Sequence, residues 1–178
     1  MTTRHRYTAL LLGLSFGAAA HPAFADDGNL QASLEELRHV VGEWATTTEE
    51  IDPDGNITRT LQGTYRFDWV IPDRVLSGRS DVPELGRASA ILFYVSETKD
   101  TIEMVSVAAD GRLWVMTGEL GGNTRYTEPY PTGDGGTGQL RFTRYNVSDD
   151  SFESKMEYSS DGGNTWTEGN HQVFRRIR

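Results

Sequence analysis

From Thr101 to Arg178 the chain repeats one phrase, strand then tight turn then strand, and this constrains the fold more than any other feature. Asp110-Gly111 is a hairpin dipeptide, Gly121-Gly122-Asn123 reverses the chain again, and Ser159-Ser160-Asp161-Gly162-Gly163-Asn164-Thr165-Trp166 precedes a final strand. Strands are expected over 44–51, 57–69, 75–80, 88–95, 101–107, 113–120, 140–147, 152–158 and 166–176. In 57–69 the alternation places Leu61, Tyr65, Phe67 and Trp69 on one face, opposite Thr60, Gln62, Thr64 and Arg66. Residues 88–95 are apolar on both faces and are expected to be covered. No second helix is available to cover a sheet, and an open sheet this long would leave two edges free to pair. The fold expected is therefore all-β: one up-and-down antiparallel barrel of about eight to ten strands.

The N-terminus precedes that fold. Arg4 and Arg6 form a basic segment, 9–20 an apolar run, and Ala23-Phe24-Ala25 a peptidase site, which reads as a signal peptide over 1–25. The apolar run falls short of the roughly 20 residues that span a bilayer, so no integral membrane segment is expected after cleavage. The remaining 153 residues suit one domain. The leader carries two Arg and no acid, so its removal takes the formal charge from −9 to −11. Such acidity gives no footprint for nucleic acid. With no Cys, disulfides and thiol chemistry are excluded, and the expected address is periplasmic or secreted. Residues 26–33 read as a polar tether. Ser33-Leu34-Glu35-Glu36 reads as a capping box opening a short N-terminal helix, with Leu34, Leu37, Val40 and Val41 on one face.

Gly42-x-Trp44 after that helix, with Arg175 and Arg176 at the far end, resembles the lipocalin and wider calycin pattern. There the first-strand Trp packs at the barrel base under a basic side chain, a cation–π contact worth about 0.5–2 kcal/mol. Phe93-Tyr94-Val95-Ser96-Glu97-Thr98-Lys99, Trp114-Val115-Met116-Thr117-Gly118-Glu119, Arg141-Phe142-Thr143, Asp150-Ser151-Phe152 and Asp161-Gly162-Gly163-Asn164-Thr165-Trp166 through Arg176 resemble a family of lipocalin-like bacterial proteins, many exported, of unknown function. The resemblance covers about 34–178, most securely 91–176. It implies a lipocalin-like barrel domain over 34–178 with a small-molecule pocket, and it carries no catalytic residues.

Ser159-x-Asp161-x-Gly163-x-Thr165-Trp166 also fits the Asp-box of sialidase propellers. One copy cannot build a propeller, so it reads as a hairpin device. Only His39 and His171 follow the leader, far apart and without Cys, so neither a zinc site nor a nucleophile–His–acid constellation is marked. Glu153, Lys155 and Glu157 alternate with Phe152, Met156 and Tyr158 and are expected to face water.

The first functional expectation is a barrel that binds a small apolar molecule, walled by candidates among Tyr65, Phe67, Trp69, Trp114, Met116, Phe142, Met156, Tyr158 and His171. Gly42, Trp44, Arg175 and Arg176 are assigned to the barrel base. No cofactor is expected, and nothing specifies an oligomer. An alternative is an isomerase, cyclase or lyase acting in the same cup, with Arg59, Glu168 and His171 as its polar groups. The other is a nitrobindin-like haem barrel, because 169–175 loosely resembles the segment that carries the iron-binding His there. The leader yields the first test: the intact mass of the exported protein should match a chain beginning at Asp26. A mature chain retaining Arg4 and Arg6 would contradict it.

Overall fold

The structure, a computed structural model, describes residues 27–133 and 135–177, so the leader assigned to 1–25 lies outside the described residues. One helix, α1 (Asp27–Val40), leads into β1 (Gly42–Ile51), β2 (Ile57–Ile71) and β3 (Val75–Val82). A single 3-10 turn (Pro83–Leu85) separates these from β4 (Arg87–Ser96), β5 (Thr101–Ala108) and β6 (Leu113–Glu119). Then come β7 (Thr124–Thr127), β8 (Tyr130–Pro131), β9 (Thr137–Ser148), β10 (Ser151–Ser159) and β11 (Thr167–Arg176).

Every pairing between strands is antiparallel, each strand from β1 to β6 bonding the next. The ring continues β6–β7–β9–β10–β11, and β11 returns to β1. Ten strands thus form a closed barrel. The eleventh, β8, pairs with β9 outside the ring. Closure satisfies the edge hydrogen bonds that an open sheet would leave unpaired.

Two local expectations change. The helix begins at Asp27, so 27–33 is helical where a tether is expected. Ser33 does not cap it either: its side chain is buried within α1 and its Oγ accepts the backbone N–H of Gly121 at 2.8 Å. A polar residue that looks like a cap locally is used to pin the helix onto the β6–β7 turn. Strand β7 was hidden because its Thr-Arg-Tyr-Thr sequence has no apolar alternation, and it lies just past the Gly121-Gly122-Asn123 turn. Its close approach to β6 depends on Gly118, where an added Cβ would stand 2.4 Å from the Thr124 carbonyl and 3.0 Å from the Arg125 stem.

The helix plugs one end of the barrel through buried Leu34, Leu37 and Val40. Gly42, at φ +120°, reverses the chain from α1 into β1 with a backbone that side chains disfavour. Trp44 follows, fully buried, its Nε1 donating to the Val40 carbonyl at 2.8 Å and its ring 4.9 Å from Phe152. The Arg176 guanidinium sits 4.2 Å over that ring and donates to the carbonyls of Val41 (2.8 Å) and His39 (2.7 Å). One side chain therefore covers the indole and satisfies carbonyls at the helix C-terminus. Arg175, the other candidate, points outward and is exposed.

The apolar outer face of β4 is left uncovered: Ala90 is exposed and Leu92 and Tyr94 are half-buried. At the far end, Asp161 Oδ1 accepts the N–H groups of Asn164 and Thr165, and its Oδ2 accepts the Thr165 hydroxyl. These bonds hold its carboxyl down at about 2. The Asp-box is a hairpin device here. It lays Trp166 on the outer wall under Arg141 (4.3 Å), and Arg141 and Lys155 bury Glu157 rather than leaving it to solvent.

Trp44→Ala should cost about 3–5 kcal/mol, through the cavity left and the stacking lost. Arg176→Ala should lower the urea midpoint measurably, and Arg175→Ala should leave it in place. Equal effects at Arg175 and Arg176 would contradict the clamp.

Candidate functional site

Inside the barrel, between the α1 plug and the opposite end, lies a cavity of about 140 Å³. Alternation on the closed sheet points Phe67, Phe93, Phe142, Phe174, Met104 and Met156 into its wall. Phe67 lies flat against Gly78, where a Cβ would stand 2.4 Å from the ring, so the glycine makes room for that wall. A larger hollow of about 400 Å³ lies on the outside of β2 and β3. It is an exposed groove whose charges are already paired, Arg66 with Asp68 and Arg79 with Asp81, so the site is the interior one.

The polar part of the wall is sparse and specific. Gln172 donates to Thr48 Oγ1 at 2.9 Å and to the Tyr65 hydroxyl at 3.5 Å. Glu36, from the plug, and Arg144, from β9, bring charge to the cavity. Glu36 Oε1 accepts from Arg125 Nη2 at 2.7 Å; Arg125 is fully buried, with its guanidinium 5.5 Å from the Phe93 ring and 5.7 Å from that of Phe142. Arg144 is 8% exposed, lies 4.7 Å over Phe152, and its Nη2 donates to His39 Nδ1 at 2.7 Å.

His39 Nε2 is 2.7 Å from the Ser148 carbonyl, which can only accept. The proton therefore sits on Nε2, Nδ1 is the acceptor, and the ring is neutral. Burial, reinforced by the Arg144 and Arg176 charges, lowers its pKa. Burial and the nearby Arg125 likewise lower that of Arg144, which still carries its charge. Arg125 Nε and Nη1 and Arg144 Nε have no hydrogen-bond partner.

Among the expected wall residues, Tyr65, Phe67, Phe142 and Met156 line the cavity. Trp69 and Met116 belong to the packed core beside it. Trp114 meets Tyr130 edge-on at 5.8 Å, and Tyr158 is half-buried against Gly169; neither reaches the wall. His171 is a correction. It sits on the outer face, its Nδ1 3.2 Å from Glu49 and its Nε2 3.0 Å from Glu153, with both ring nitrogens engaged. The inward positions of β11 are Asn170, Gln172 and Phe174, so a polar pair disguises the parity.

The haem reading rested on His171 facing inward, and that support is gone. Arg59 pairs with Glu50 at 3.7 Å in an exposed ion pair, so Arg59, Glu168 and His171 do not converge on the cavity. The sequence did contain a sign of the charged wall. Arg144 continues the even-numbered stripe of Leu140 and Phe142, and Glu36 lies on the same helical face as Val40.

The two histidines should titrate stability in opposite directions. Partial burial of His171 opposes its charge, but Glu49 and Glu153 outweigh that and raise its pKa. Its contribution is present below the unfolded value of about 6.5 and is lost as pH rises through the folded one. His39, lowered, contributes above about 6.5 and loses that contribution as pH falls through its folded value. The melting-temperature advantage of the wild type over His171→Gln should shrink from pH 6 to 8.5, and that over His39→Gln should shrink from pH 7 to 5. Parallel trends would contradict the two environments.

Among the described residues no three His, Cys, Asp or Glu side chains gather as metal ligands, and no helix is long and apolar enough to cross a membrane. No family model and no curated protein matches the chain. Solved structures do. The S-type phycobiliprotein lyase CPES from Guillardia theta aligns with a TM-score of 0.50 at 10% identity, over 85% of this chain and 97% of that one. A redesigned β-barrel aligns at 0.42 and 18% identity, over 80% and 95% of the two chains. EF1p2_mFAP2b bound to DFHBI aligns at 0.38 and 16%, over 82% and 98%. At 10% identity, what the chain shares with the lyase is the fold alone.

Proposed function

We propose that this chain is an exported, lipocalin-like barrel that binds a small, compact, mostly apolar molecule in its interior cavity. The observation that carries the reading is the wall itself: five Phe and two Met side chains enclose about 140 Å³ inside a closed sheet. An apolar cavity of about 150 Å³ holds a molecule the size of benzene. Export rests on the leader pattern of 1–25, and the lipocalin-like character on Gly42, Trp44 and Arg176 at the plugged end. Catalysis is not favoured, because Glu36, the carboxylate at the wall, is already held by Arg125. The lyase among the solved structures shares the architecture, and at 10% identity no activity follows from that.

Burying such a ligand contributes about 25 cal/mol per Å² of apolar surface before association costs are subtracted. A dissociation constant between about 1 μM and 1 mM follows. Toluene, indole and phenol should each raise the melting temperature with concentration, saturably. Ser106→Leu adds apolar volume at the wall and should abolish the response while the protein remains folded. A panel of one-ring and short-chain compounds that leaves the wild-type melting temperature unmoved would overturn the reading.

A further inference from the structure

The interior of the barrel holds more positive charge than it neutralises. Arg125 and Arg144 are both at least nine-tenths buried, while Glu36 is the carboxylate at the cavity wall and spends one oxygen on Arg125. His39, the other titratable group in contact with Arg144, is neutral by its hydrogen bonds and adds no counter-charge. Arg176 is turned away, occupied by Trp44 and the carbonyls of His39 and Val41. The cluster is left with two cations, one anion and three guanidinium nitrogens that donate to nothing. Aromatic faces at 4.7–5.7 Å offset part of the desolvation. They supply neither an acceptor nor a negative charge, and a buried charge without a partner is costly. Water could accept from these nitrogens, but it would leave the excess charge in place.

We propose that the molecule taken by this cavity is a monovalent anion, a carboxylate on a compact apolar body, whose head group is held by the Arg144 guanidinium at the cavity wall, with buried Arg125 adding its charge from behind that wall. This rests on the reading of the cavity as a binding site and specifies its ligand. A single negative charge balances the cluster, whereas a dianion would exceed it. A carboxylate matches the geometry of guanidinium donors and makes charge-assisted hydrogen bonds. The apolar body, about one ring or six carbons, fits against Phe67, Phe93, Phe174 and Met104. Glu36 keeps Arg125 in place from the helix, so the anion site is complete only when the plug is seated.

The test is calorimetric titration of the chain lacking its leader with benzoate, hexanoate, their neutral amides and phenyl phosphate, at pH 7.5 and low salt. Benzoate or hexanoate should bind at least 10-fold more tightly than its amide, and phenyl phosphate no more tightly than benzoate. Arg144→Met should narrow the acid–amide gap to less than 3-fold. If that variant fails to fold, the wild-type acid–amide comparison decides alone. Amides that bind as tightly as the acids would overturn the anion proposal and leave the apolar binding site standing. Tighter binding of phenyl phosphate would overturn its restriction to a single charge. No binding by any of the five would remove both.

Discussion

Ten strands closed on themselves enclose more volume than ordinary side chains fill, and the rest of the structure is a response to that surplus. An eight-stranded barrel is just wide enough to be packed solid; each added strand widens the interior. Here the surplus is reduced at one end by α1, whose Leu34, Leu37 and Val40 enter the barrel, and in the middle by large aromatic rings. Phe67 can lie flat because Gly78 stands opposite, and the Arg125 stem can cross β6 because position 118 is also glycine. What remains is a cavity of about 140 Å³, with aromatic and Met walls.

The same helix that closes the barrel completes its electrostatics. Glu36 lies one turn before Val40, so the residue that plugs and the residue that neutralises Arg125 share one face of α1. Arg176 locks the helix C-terminus to the indole of Trp44, and Ser33 locks its middle to the turn at Gly121. Moving the helix would strand Arg125 without its carboxylate, so the plug and the charged wall are one cooperative unit. This coupling gives a physical reason for keeping ionised groups in a core that apolar residues could otherwise fill.

Much of this architecture is written in local patterns. Period-two alternation over 57–69, the hairpin dipeptide Asp110-Gly111 and the Asp-box at 159–166 each specify a piece of strand or turn by short-range chemistry, and nine of the barrel strands follow from such signals. Gly42-x-Trp44 and the terminal arginines mark the plugged end, though only geometry selects Arg176 over Arg175. What was not legible depends on long-range partners. Ser33 has the spacing of a cap and serves as a tie to a turn far along the chain. The parity of β11 is masked because its inward Asn170 and Gln172 are polar while outward Val173 is not, which put His171 on the wrong face. Arg125 sits in a four-residue strand with no apolar rhythm, and its buried state is set by Phe93, Phe142 and Glu36 on three other elements. Alternation reports which face a residue takes; it does not report that a cation on the inner face has been left short of partners.

The central claim is that the barrel interior is an open apolar cavity rather than a solid core, and a crystal structure determined under xenon pressure tests it directly. Xenon enters dry apolar cavities of this size. The account predicts a single strong xenon peak enclosed by Phe67, Phe93, Phe142 and Phe174, with the surrounding side chains unmoved. Phe and Met side chains collapsed into the space, with no xenon inside the barrel, would contradict it.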